Sequence, residues 1–277
     1  MQKSKQVIGL MQGRLTNPTI GKIQEFPKAG WKDEIRSLKG TGLDLLEWTI
    51  DLDGFWENPF VSPAGRPSAL DMLGENEVRV ESITCDYFMH QREKCGFNFD
   101  EGDQELFQGV IEGAKQFSSR FIVIPLVDHS RVKNHEEEEK VVRFFSAYSK
   151  SLIDAGLRVV FESDYEPGKL ADFIRLFSPE CFGINYDMGN SASLGYDPAH
   201  EISTLAPWIY NVHVKDRVLG GTTVPFGEGN VDFQTVFSEL RKIGYTGNLI
   251  LQGARSKTND HVGIVKQYLN HINGYLA

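Results

Sequence analysis

Eight short apolar runs, each followed by a stretch with helical spacing, constrain this 277-residue chain more tightly than anything else in it. The runs cover residues 7–11, 43–48, 78–84, 121–126, 157–161, 182–186, 209–214 and 248–251. They are short and rich in Val, Ile and Leu, as strands covered on both faces are. Helical spacing fills the intervals, at residues 31–39, 68–75, 101–118, 134–155, 168–177, 198–205, 231–243 and 261–272. Strands that alternate with helices run parallel, because each crossover carries the chain back over the sheet before it pairs again. Eight such pairs suit a closed (β/α)8 barrel, the TIM-barrel architecture, better than an open doubly wound sheet, which usually has fewer strands. The first turn also lacks the glycine fingerprint of a dinucleotide-binding sheet. No linker or low-complexity segment interrupts the alternation, so residues 1–277 read as one domain.

Some helix ends are written locally. Asn134 is a cap and Gly156 a stop, and Asp197-Pro198 is a cap followed by a proline start. The acidic run at residues 136–139 reads as the solvated first turn of its helix, with Glu136–Lys140 and Glu139–Arg143 at the stabilising spacing.

Bulk properties exclude several functions. A formal charge of -9 argues against nonspecific attraction to nucleic acid or to an anionic membrane surface. No run approaches the roughly 20 apolar residues of a membrane helix. The N-terminal apolar run is short and broken by Gly9, unlike a signal peptide. The three cysteines (Cys85, Cys95, Cys181) cannot all pair within the chain and read as free thiols in a reducing compartment. The expectation is a cytoplasmic protein.

The chemistry-bearing residues gather at the ends of the last four runs: Glu162, Asp187, His213 and Gln252. In a parallel barrel these ends converge on the axis, where such folds place their sites. Two carboxylates, an imidazole and an amide oxygen meeting there suit a divalent cation such as Mn, Mg, Co or Zn. A cluster of acids without a cation would suffer repulsion and desolvation.

Met11-Gln12-Gly13-Arg14, the strand end at Glu47, Glu162, Asp187-Met188-Gly189-Asn190, His213-Val214-Lys215-Asp216 and the Gly227–Phe233 stretch GEGNVDF together resemble the sugar-phosphate isomerase/epimerase family. These are xylose-isomerase-like TIM barrels, tagatose and ribulose-5-phosphate 3-epimerases among them, and the likeness covers essentially the whole chain. The resemblance implies a divalent metal held by Glu162, Asp187 and His213. That metal polarises the sugar carbonyl and hydroxyl, while two glutamates exchange protons on opposite faces of an enediolate. It also implies a substrate contact at Asn190 and a small carbohydrate substrate, and relatives of this kind are often homo-oligomers.

One departure is specific to this chain: Gln252 stands where the family's second glutamate would be, and no acid lies between Glu239 and Asp260. A glutamine oxygen can ligate a metal, but a neutral amide is no base at working pH. Epimerisation asks for two proton-transfer groups, whereas aldose–ketose interconversion can use one. Glu162 is therefore expected to act as general base alone or with Glu228, favouring isomerisation. A keto-polyol dehydratase and a non-catalytic sugar-binding barrel are the alternatives; an endonuclease of the multi-zinc type is disfavoured by only seven histidines and the acidic charge.

Around these strand ends, Arg14, Lys215, Arg217 and Arg255 form a cationic rim suited to a phosphorylated or carboxylated sugar, or else paired with acids such as Asp216 and Glu228. Glu47 and Glu228 are further candidate substrate contacts. Trp31, Trp48, Phe55, Trp56 and Tyr87 either wall the sugar or cap the barrel. Asp86, His90, Asp128 and His129 are polar positions beside the mouth, more simply explained as loop polarity.

Overall fold

The apolar runs form the strands of one closed sheet. The computed structural model describes residues 6–17 and 24–276, and within them eight strands pair in parallel around a barrel. They are β1 (Ile8–Met11), β2 (Leu45–Thr49), β3 (Arg79–Thr84), β4 (Phe121–Leu126), β5 (Arg158–Ser163), β6 (Phe182–Asp187), β7 (Ile209–Val214) and β8 (Asn248–Leu251). Each lies beside its sequence neighbours, and β8 returns to pair with β1, so no barrel edge is left open. The N-terminal residues before Gln6 and residues 18–23 of the loop after β1 lie outside the described part.

Side chains alternate between lumen and outer shell. On β2, Leu46 and Trp48 join the large apolar cluster between sheet and helices, whereas Leu45 belongs to a separate cluster with Met11 and Ile250. Phe121, Val123 and Val160 form another small cluster apart from the shell. The lumen floor is tight: a Cβ on Gly9 would come within 2.8 Å of Ile250 and 2.9 Å of Leu45. Above this floor the inward positions turn polar.

The aromatic residues after the first strands pack rather than line the mouth. Trp48 is fully buried against Phe26, Trp31, Phe60 and Phe117, with centroids 5.7 to 6.2 Å away, and its indole N–H donates to Asn58 Oδ1 at 2.9 Å. Phe55 and Tyr87 are buried edge to face, and Trp56 points out with 54% of its surface exposed. Cys85 and Cys181 are buried free thiols and Cys95 is an exposed one.

Local details depart from the sequence reading in three places. Asp86–Cys95 is a helix; Arg92 on its inner face, buried in an ion pair with Asp103, disguises the apolar stripe. The span 134–155 breaks into His135–Ser146 and Ser149–Ala155. At the break the Tyr148 ring sits 4.8 Å from Phe107, and the Ser149 hydroxyl donates to the Ser146 carbonyl at 2.7 Å. The cap at Asn134 and the left-handed stop at Gly156 form as expected. The polar stretch after β6 is the first turn of a helix, Met188–Leu194. Among the described residues no helix is long and apolar enough to cross a membrane.

Candidate functional site

Three of the four strand-end residues meet at one point. Glu162 on β5, Asp187 on β6 and His213 on β7 are buried, and each offers a donor atom within 4.8 Å of the others. Asp187 and His213 are register partners across the β6–β7 ladder. Gln252 follows β8 directly, and its backbone N–H bonds the Val214 carbonyl at 2.8 Å, which keeps it beside the end of β7.

Each side chain is held by a neighbour. Asp187 caps the helix Met188–Leu194, accepting the Asn190 N–H on Oδ1 at 2.8 Å, while Oδ2 lies 2.7 Å from Lys215 Nζ. Glu162 accepts amide N–H bonds from Asn190 on Oε1 at 2.6 Å and from Asn185 on Oε2 at 2.8 Å. Arg217 in turn donates to Asn190 Oδ1 at 2.7 Å and to the Gly221 carbonyl.

Glu47 reaches across the lumen to His213 Nε2 at 2.7 Å. It also accepts from Ser82 at 2.6 Å, from Asn211 at 3.0 Å and from Thr84. Glu47, expected from the sequence as a substrate contact, is fully buried among these partners. With Nε2 held by Glu47, the other ring nitrogen, Nδ1, faces Glu162 Oε2 at 3.1 Å and Asp187 Oδ2 at 3.7 Å.

The electrostatics follow from this packing. Burial would raise the Glu47 carboxyl, but the imidazole charge and the hydrogen bonds from His213, Ser82 and Thr84 outweigh it and hold the pKa below its usual range. Burial likewise opposes ionisation of Asp187, and Lys215 and His213 overcome it, so this carboxyl too is depressed. Burial pulls His213 down; Glu47 first, then Asp187 and Glu162, push it well above the ordinary histidine value. Three carboxylates against one ammonium leave the pocket anionic even when the imidazole is charged.

These residues fit a divalent cation. Two buried donor atoms, His213 Nδ1 and Gln252 Oε1, have no directed hydrogen bond. Glu162, Asp187 and His213 make a mixed oxygen and imidazole set of the kind that divalent cations such as Mn, Mg, Co or Zn accept.

The rim cations bond to carbonyls, amides and one carboxylate around the mouth. Asp216 is buried and among the described residues pairs with no cation: it accepts the backbone N–H groups of Gly227, Gly229 and Val231 at 2.8, 2.9 and 3.1 Å, folding that loop beside the mouth. A Cβ on Gly229 would sit 2.1 Å from Asp216 Oδ1, so the residue must be glycine. Glu228 on the same loop is exposed. Arg14 is buried, with Nε bonded to the Gly253 carbonyl at 3.0 Å and Nη2 to Gln24 Oε1 at 3.2 Å; burial foremost, with the nearby charge of Arg255, lowers its pKa to about 10. Arg255 is half-buried over the β1 loop, bonded to the carbonyls of Gly13 and Thr16. Asp128 and His129 are exposed, whereas Asp86 is buried.

Sequence reasoning passed over Ser82, Thr84, Asn185, Asn211 and Gln24. The first four carried a signal: polar residues two apart inside buried strands, as in Asn185/Asp187 and Asn211/His213, mark an inward face that is not apolar.

Residues 42–272 match the family model of the xylose isomerase-like TIM barrel. L-ribulose-5-phosphate 3-epimerase UlaE of Salmonella typhi is 27% identical over 235 residues, covering 80% of this chain and 81% of that protein. Among solved structures, a xylose isomerase domain protein from Planctomyces limnophilus superposes with TM-score 0.74 at 14% identity, over 98% of this chain and 97% of that one. D-allulose 3-epimerase from Methylomonas sp. superposes with TM-score 0.73 at 15% identity, over 98% of each chain. Closed barrel, inward site and matched span agree: the chain belongs to the xylose isomerase-like TIM barrel family.

Proposed function

We propose that this protein is a divalent-metal-dependent isomerase or epimerase of a sugar or sugar phosphate, acting through an enediolate with Glu162 as general base. The observation that carries the reading is the convergence of Glu162, Asp187 and His213 donor atoms within 4.8 Å. The metal ligands are Glu162, Asp187, His213 and Gln252; a cation bound there supplies Lewis-acid polarisation of a ketose carbonyl. The chain's own groups do the rest. Asn185 and Asn190 fix both oxygens of Glu162, so its carboxylate faces the lumen in one orientation. Arg217 holds Asn190 in place, and Glu47 holds the imidazole.

The cations Arg14, Lys215, Arg217 and Arg255 support an anionic substrate, and the phosphorylated substrate named for the Salmonella typhi relative supports a ketose phosphate. Arg217 and Asn190, being tied to Glu162, are the substrate contacts nearest the base. Glu228, exposed on its loop, offers weak support for a second proton carrier. We place the enzyme in the cytoplasm.

The test is deuterium uptake from D₂O into L-ribulose 5-phosphate and a panel of ketoses and ketose phosphates. Uptake that EDTA abolishes and Mn²⁺ restores is expected. Binding of a sugar without any exchange would support the non-catalytic barrel instead.

A further inference from the structure

The amide at Gln252 leaves an epimerase one proton carrier short, and the mouth contains a buried carboxyl that nothing so far has used. Asp86 follows β3 and opens the helix Asp86–Cys95, on the far side of the lumen from β7 and β8. It is 6% exposed, and its Oδ2 accepts an N–H bond from Gln24 at 2.7 Å. The other end of that Gln24 amide accepts from Gln252 Nε2 at 2.7 Å and from Arg14 Nη2 at 3.2 Å. One glutamine side chain therefore spans from Asp86 to the very residue that stands in the missing glutamate's place.

We infer that Asp86 is the second proton-transfer group of this site, entering from the end of β3, two strands round the barrel from the β5 that carries Glu162. The inference rests on the isomerase or epimerase reading above. In the forward step, Glu162 takes the proton from the carbon beside the carbonyl, and the C–H electron pair passes into the enediolate. Protonated Asp86 then gives its proton to the other face of that carbon, where the new C–H bond takes up the electron pair. Glu162 is left protonated and Asp86 ionised, and both reset by exchange with solvent. Inverting a carbon needs two such groups; the reaction this assigns is epimerisation, with aldose–ketose interconversion secondary.

The surroundings of Asp86 suit a group that carries a proton near neutrality. Burial foremost, then the charge of Asp51 from the loop after β2 and of Glu162 from β5, pushes its pKa up to about 8, against the hydrogen bond from Gln24 and the charge of Arg14. Its chain neighbour Cys85 is a buried thiol whose pKa is itself raised, by burial first and by the charges of Asp86 and Glu47. Gln24 covers the carboxyl in this state, and a sugar hydroxyl can replace its amide as partner.

The experiment compares wild type with Asp86→Asn, loaded with Mn²⁺, on L-ribulose 5-phosphate and the ketose panel in D₂O, reading deuterium uptake and inversion at the same carbon. The asparagine keeps the shape of the neutral acid, and Mn²⁺ affinity at the Glu162–Asp187–His213 site checks that the variant is folded. Retained uptake with inversion slowed at least about 100-fold is expected. Wild-type inversion in the direction that draws on the Asp86 proton should fall above pH about 8, and the variant should lack that limb. Inversion at the wild-type rate in Asp86→Asn overturns the role of Asp86 and leaves the proposed function standing. So does loss of uptake together with inversion in a variant that binds Mn²⁺ normally, because Asp86 would then serve the first proton transfer. No uptake by wild type from any substrate removes both readings.

Discussion

Glu47 and Trp48 are adjacent on β2 and equally inaccessible to water, yet they belong to different molecules in chemical terms. Trp48 faces the helices and sits among aromatic rings with one hydrogen bond to Asn58. Glu47 faces the lumen and sits among hydroxyls, an amide and an imidazole. Burial alone therefore says nothing about role in this barrel. The outer shell removes apolar area from water; the lumen above its floor assembles polar groups whose desolvation must be offset by one another or by a cation.

The sharpest separation between the two regions comes from Glu162→Gln. Removing the base should cut turnover by about 10²–10⁴-fold while thermal stability stays near wild type. Near-normal turnover would end its assignment as base. The outer shell should answer in the opposite way: Trp48→Ala should destabilise the fold by about 3–5 kcal/mol in urea melts. The folded fraction should still bind Mn²⁺ with wild-type affinity. A Trp48 variant that lost its metal before its fold would erase the distinction drawn here.

A smaller effect tests whether Glu47 acts only through His213. Glu47→Gln should weaken Mn²⁺ binding by about 10–100-fold in a titration. The pH dependence carries a second readout. Protons and metal compete for His213 Nδ1, whose pKa in the metal-free protein is raised well above the usual value, so wild-type affinity should climb as pH rises through neutrality. Glu47 is the foremost group raising that pKa, so the climb should move to lower pH in the glutamine variant. An unmoved profile would detach Glu47 from the imidazole. The mildest test is thiol labelling of the native protein: Cys95 should react quickly, and the buried Cys85 and Cys181 only on unfolding.

Much of the architecture was legible because its signals are local. Strands covered on both faces are short and apolar, helices announce themselves at Asn134, Asp197 and Gly156, and both periods are written within a few residues. Where a side chain breaks its local pattern to meet a distant partner, the reading failed. Arg92 hid a helix by pairing with Asp103, and the long helix breaks beside Tyr148, whose ring packs on Phe107. Asp187 was legible as a strand-end acid, but that the same carboxylate caps the following helix is decided by the fold.

By itself the sequence determined the eightfold alternation, the ends at which Glu162, Asp187, His213 and Gln252 fall, and the neutral amide among them. The tertiary structure decided which groups face those residues across the lumen. Glu47 and His213 are 166 residues apart, and Gln24 and Gln252 are 228 apart. Closing a sheet brings the mouths of non-adjacent strands together, and no spacing along the chain encodes which two side chains then meet.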